Sequence, residues 1–100
     1  MNREDFIEEF DILQQAEKHI ILDKNHDYAQ DTDAFVNLRP SGEQGILCRM
    51  QDKMARISNL LKADGQVLSE SLEDTLMDLS NYSNILIIYI KEKNEAKKCD

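Results

Sequence analysis

The sequence predicts an all-α fold, an antiparallel helical bundle of three main helices plus a short helix, and three observations carry that prediction. The chain of 100 residues holds only 3 Gly and 1 Pro, too few for a sandwich or barrel whose turns recur about every 8–12 residues. Its apolar residues recur three and four apart over long stretches, the period of a helix face and not the alternation of a strand. Capping and acidic side chains stand where those stretches would begin, satisfying free N–H groups and the positive end of the helix dipole. A hydrophobic fraction of 41% suits a globular chain, and the length leaves room for one domain, residues 1–100, and no second core.

The first helix is expected from about Asn2 to Leu22, with Phe6, Phe10, Leu13, Ala16 and Ile20 on its inner face and Glu8, Glu9, Asp11, Glu17 and Lys18 mostly opposite. The polar run Asp23–Tyr28 reads as its end. Asp33 to Leu38 offers a short helix of one or two turns, capped by Asp31 or Asp33, and Arg39–Gly45 reads as a loop punctuated by Pro40, Gly42 and Gly45. The second long helix is expected from about Gly45 to Ala63, with Ile46 or Leu47, Met50, Met54, Ile57 and Leu60–Leu61 as its apolar stripe and Asp64–Gly65 as its stop. Ser69 begins the third, whose inner face is Leu72, Leu76, Leu79, Ser83, Leu86 and Ile90. Residues 91–100 read as a charged, solvated tail, with at most a fraying last helical turn.

From Ile85 to Ile90 nearly every side chain is apolar. A helix apolar all round needs cover on several sides, and a chain this short often completes its core by association. A homo-oligomer packed along Ile85, Ile87, Ile88 and Tyr89 is therefore expected, with helix 1 as the alternative cover.

With 12 Lys+Arg against 20 Asp+Glu and a net charge of -8, the chain is a poor ligand for long nucleic acids, whose phosphates recruit Lys and Arg. The Ile85–Ile90 run falls far short of the ~20 residues of a membrane span. No apolar leader follows Met1, and Cys48 and Cys99 form no close motif, so a cytoplasmic location is expected. His19 and His26 lack zinc-ligand spacing. Cys48, at the start of an apolar helix face, reads as packed and inert, and no phosphate-cradling glycine loop is present.

The densest polar cluster joins helices 2 and 3. Glu70, Asp74 and Asp78 stand at i, i+4 and i+8, with Asn81 and Tyr82 close by, while helix 2 offers Arg49, Asp52, Lys53 and Arg56. Like charges at i, i+4 cost a helix roughly 0.2–0.5 kcal/mol per pair, so the stripe calls for cations opposite, from helix 2 or from a metal ion. The cluster is open to two readings: an interhelical ion-pair network, with Asp52–Arg56 as an i, i+4 pair, or a site for a divalent ion or the polar edges of a nucleotide.

Three blocks, Lys24–Tyr28, Gly45–Arg56 and Glu70–Tyr82, together resemble the nucleotide modification associated domain 1 family, which is found largely in bacteriophages and their hosts. The resemblance implies an all-α domain tied to nucleotide metabolism or modification. It also implies a helical layout similar to that of the MazG and dimeric dUTPase type of NTP pyrophosphatase, enzymes that hold Mg²⁺ with an E-x-x-E and an E-x-x-D pair. Glu70, Asp74 and Asp78 would stand for the second carboxylate set, at a spacing of four where those enzymes use three. Where the first pair would be, this chain has Asp52-Lys53-Met54-Ala55-Arg56, one acid with two cations that would repel Mg²⁺.

The reading that follows is a nucleotide-binding protein without need of a cofactor. Lys24, Arg49, Lys53 and Arg56 would meet phosphate oxygens, beside Asp52 and Asp78; Asp27, Asp74 and Asn81 would read a base or sugar; Tyr28 or Tyr82 would stack on the base. It would recognise or sequester a small nucleotide, a modified-base precursor or a host defence signal. The alternative is a Mg²⁺-dependent nucleoside triphosphate pyrophosphatase with Glu70, Asp74 and Asp78 as metal ligands. A third possibility is an interaction module that turns its acidic surface to a basic protein.

Overall fold

The computed structural model describes residues 1–28, 33–63 and 67–98, apart from the side chains of 25–28 and 98. It contains three helices, α1 (Arg3–Tyr28), α2 (Gly42–Ala63) and α3 (Glu70–Lys98), and no strand among the described residues. The starts follow local chemistry. Asn2 Oδ1 accepts from the Asp5 N–H at 2.8 Å and caps α1, and Ser69 Oγ accepts from the Leu72 N–H at 3.1 Å, so Ser69 opens α3 as expected. α2 begins earlier than expected, at Gly42, whose φ of +60° lets the chain swing into the helix at a position where a Cβ would be strained.

Two expected ends are corrected. Asp23–Tyr28 continues α1, because the run is polar but contains neither Gly nor Pro to stop a helix. Residues 91–98 continue α3 rather than forming a tail, since Lys, Glu and Ala are good helix formers. The Asp64–Gly65 stop, the Asp31 cap and Cys99 lie outside the described residues.

The short helix expected at Asp33–Leu38 is instead a series of turns. The Leu38 and Arg39 N–H groups both donate to the Phe35 carbonyl, at 2.9 and 3.0 Å. Asp33 Oδ1 accepts from the Phe35 N–H at 3.0 Å, a local bond that competes with helix formation. Pro40 then biases Arg39 away from the helical region.

That turn segment is clamped onto α3. Arg39 donates through Nε and Nη2 to the two Asp33 carboxylate oxygens, each at 2.7 Å, and through Nη2 to Glu92 at 2.9 Å. Its guanidinium also lies over the Phe35 and Tyr89 rings, which meet edge to face at 5.3 Å. Part of the apolar Ile85–Ile90 run is thus covered from within the chain: Tyr89 by Phe35, and Ile85 by Ile21, Phe35 and Leu38, which line a hollow with it.

α3 is the central element, with α2 packed along it and α1 seated more sparsely on it. Ion pairs Glu43–Lys93 at 2.8 Å and Lys53–Asp78 at 3.2 Å set α2 antiparallel to α3. α1 also runs antiparallel to α3, with Glu17 beside Ser80 and Asn81 and Lys24 beside Asp78. Among the described residues the buried apolar side chains are Leu38 in the turn segment, Ile46 near the start of α2 and Leu72 in the first turn of α3. Of the expected inner faces, Phe6, Phe10 and Leu13 of α1, Met54 and Leu61 of α2, and Leu76 and Ile90 of α3 are exposed instead. A radius of gyration of 16.0 Å, against about 13 Å for a compact chain of this length, expresses the same openness.

The clamp makes acid sensitivity predictable. The Arg39 hydrogen bonds, aided by the Phe35 N–H, hold the Asp33 carboxyl below its ordinary 3.8. The Lys93 hydrogen bond and its own backbone N–H hold Glu43 below 4.5. Depressed carboxylates contribute stability that is complete above their unfolded values and lost as pH falls through the folded ones. Tm is therefore expected to drop below about pH 4, and Arg39→Gln to flatten that drop; thermal melts across pH 2–6 check both.

Candidate nucleotide site

α2 presents Arg49, Asp52, Lys53 and Arg56 at i, i+3, i+4 and i+7, a spacing that puts all four on one side of the helix. α3 presents Asp78, Asn81, Tyr82 and Ile85 by the same rule. Where the two faces meet, Arg49, Asp52, Lys53, Arg56 and Tyr82 line an open groove of about 380 Å³, within the roughly 300–1,000 Å³ typical of small-molecule sites. On the other side of Tyr82, Lys24, Asp78, Asn81, Ile21 and Ile85 close around a hollow of about 20 Å³.

Asp78 ties the three helices together. Its Oδ1 lies 3.2 Å from Lys24 Nζ on α1 and its Oδ2 lies 3.2 Å from Lys53 Nζ on α2. The carboxylate is largely sheltered, with 19% of its side chain exposed, so the two ion pairs are less screened than surface pairs. Two ammonium groups on one carboxylate leave an excess of positive charge beside the groove.

The two arginines of the groove are uncommitted. Among the described residues neither Arg49 nor Arg56 forms an ion pair or a hydrogen bond, and the expected Asp52–Arg56 pair is not made. Both guanidiniums are exposed on the groove side of α2, with their donor forks available to an anion.

Asn81 is buried, and it is positioned by Glu17, a residue expected on the outer face. Glu17 receives Ser80 Oγ on Oε2 at 3.1 Å and Asn81 Nδ2 on its carbonyl at 3.2 Å. A helical wheel places Glu17 seven residues before Lys24, on the same side of α1; that spacing was the available signal. Asn81 Oδ1 is buried with no hydrogen-bond partner, an acceptor whose isolation costs roughly 1–3 kcal/mol.

Asp74 and Glu70 are exposed on α3 and line neither the groove nor the hollow. Asp27 and Tyr28 have side chains outside the described residues, as does His26. His19 sits in solvent, 3.6 Å from Asp23, and Cys48 is exposed rather than packed. Among the described residues no three His, Cys, Asp or Glu side chains are placed to hold a metal ion together. No described helix is long and apolar enough to cross a membrane.

Residues 24–90 match the family described as nucleotide modification associated domain 1. The chain belongs to that family. The matched span of the nucleotide modification associated domain begins at Lys24 and ends at Ile90, so it takes in every residue of the groove and of the hollow except Ile21. It leaves out most of α1 and the last turns of α3. No curated protein and no solved structure matches the chain.

Proposed function

We propose that the chain binds a small phosphorylated nucleotide in the α2–α3 groove and holds it without hydrolysis. The observation that carries this reading is the pair of unengaged guanidiniums, Arg49 and Arg56, flanking Lys53 and the Tyr82 ring in one groove. Guanidinium forks match phosphate oxygens in geometry and charge, and a tyrosine ring offers a base a stacking face. Membership of a nucleotide modification associated family agrees with such a ligand.

The same geometry argues for holding over cutting. Cleavage of a triphosphate in the MazG and dUTPase manner needs several carboxylates around Mg²⁺. Here Asp78 is committed to two lysines, and Asp74 and Glu70 stand outside the groove. That donor set suits an anion better than a divalent cation. A phage-encoded chain would use such a site to retain a modified-base precursor or to sequester a nucleotide signal of host defence.

The test is a nucleotide panel with Mg²⁺, read by thermal shift and followed by heat denaturation and chromatography of what is released. A raised Tm with the ligand recovered unchanged supports holding, whereas monophosphate and pyrophosphate in the supernatant would overturn it. The double variant Arg49→Glu/Arg56→Glu is expected to weaken binding at least about 100-fold, since each charge-assisted bond is worth roughly 1.5–3 kcal/mol. Unchanged affinity in that variant would remove the groove as the site.

A further inference from the structure

We propose that Asp52 makes the α2–α3 groove selective for a guanine base, given that the groove holds a nucleotide as proposed above. The side chains that line it divide by what they can do in a hydrogen bond. Arg49, Lys53 and Arg56 only donate, the Asp52 carboxylate only accepts, and the Tyr82 hydroxyl does either. The backbone carbonyls behind them are engaged within the helices, where each accepts from the N–H four residues on. The three cations suit phosphate oxygens. A donor on the base therefore has Asp52 as its charged acceptor.

Asp52 is available for that task. It is exposed, and among the described residues it forms no ion pair and no hydrogen bond, although Arg49 stands three residues before it and Arg56 four after. Other acids on these helices are occupied: Asp78 is shared by Lys24 and Lys53, and Glu43 is paired with Lys93. A free carboxylate among cations repels phosphate oxygens, so its place is beside the uncharged part of the ligand. One helical turn, about 5 Å of rise, separates Asp52 from either guanidinium along α2. A nucleotide held by its phosphate can span that separation and bring a base edge to Asp52, with the base face against Tyr82.

The chemistry of the bases then decides. Guanine carries two adjacent donors, N1–H and the N2 amino group, which match the two oxygens of one carboxylate as the fork of a guanidinium does. Adenine and cytosine present one amino group beside an unprotonated ring nitrogen, whose lone pair would face the second oxygen. Uracil and thymine present a single N–H between two carbonyls. Guanine alone offers a paired-donor edge.

The test is isothermal titration of the full chain with GTP, ITP and ATP, for the wild type and for Asp52→Asn, with circular dichroism checking that the variant stays helical. ITP keeps the N1–H and lacks the amino group. The wild type is expected to bind GTP at least about 10-fold more tightly than ATP, with ITP between them. In Asp52→Asn the ratio of GTP to ATP affinity is expected to fall toward one. Loss of a negative charge by itself would tighten all three nucleotides together and leave the ratio as it was, and that result would overturn the proposal. Equal affinity of the wild type for GTP and ATP would also overturn it, while leaving the groove a nucleotide site. Binding of none of the three would overturn the base preference and the nucleotide site together.

Discussion

Ile46→Ala is expected to destabilise the fold by about 2–5 kcal/mol, a large share of the total for a chain of 100 residues, whose stability should lie near 5–15 kcal/mol. Ile46 is fully enclosed near the start of α2, which the Glu43–Lys93 ion pair ties to α3. Truncation removes the transfer energy of three carbons and leaves a void that rigid neighbours close only in part. The effect is magnified because Leu38 and Leu72 are the only other buried apolar side chains among the described residues. Met54→Ala, at a position expected from its spacing to be internal but 57% exposed, is expected to change stability by less than about 0.5 kcal/mol. Urea titrations of both variants separate the two outcomes.

That contrast shows what the sequence could and could not disclose. The Ser69 cap was legible because its chemistry is local: Ser69 hydrogen-bonds within three residues of itself, and no tertiary context is needed to foresee it. Helix type was legible from the three-and-four spacing. Burial was not, because a stripe such as Phe6–Phe10–Leu13 shows which side of a helix is apolar and says nothing of what lies opposite. Polarity misled in the other direction at Asp23–Tyr28, where hydrophilic residues without a breaker simply extend α1. The turns around Phe35 have a tertiary cause: the bidentate Arg39–Asp33 pair and the packing on Tyr89 hold a conformation that helix propensity alone does not specify.

The site was partly legible for the same mixture of reasons. Arg49, Asp52, Lys53, Arg56 and Tyr82 share a groove because helical spacing put them on facing sides, and that much could be counted along the chain. That Asp78 faces Lys24 as well as Lys53 depends on how α1 crosses α3, which no periodicity encodes. Acidic type alone points Glu17 to the solvent side. Its place on the wheel, between Leu13 and Ile20 on the inner stripe, was the better guide.

Asp78→Asn should move stability and ligand affinity in opposite directions. The carboxylate holds Lys24 and Lys53 at 3.2 Å each, so its neutralisation leaves two neighbouring ammonium groups without the counter-ion they share. The pairs are partly solvated, with the lysine side chains 48 and 27% exposed, which limits the expected loss to about 1–2 kcal/mol. The same change frees the Lys53 ammonium at the edge of the groove and raises the positive potential where phosphate oxygens would sit. A nucleotide bound by Arg49 and Arg56 should therefore bind several-fold more tightly, most clearly at low salt. If Asp78 instead served as a metal ligand for hydrolysis, Asp78→Asn would weaken Mg²⁺-dependent binding. Isothermal titration with and without Mg²⁺, alongside a urea melt of the same preparation, distinguishes an acid that restrains two lysines from one that recruits a cation.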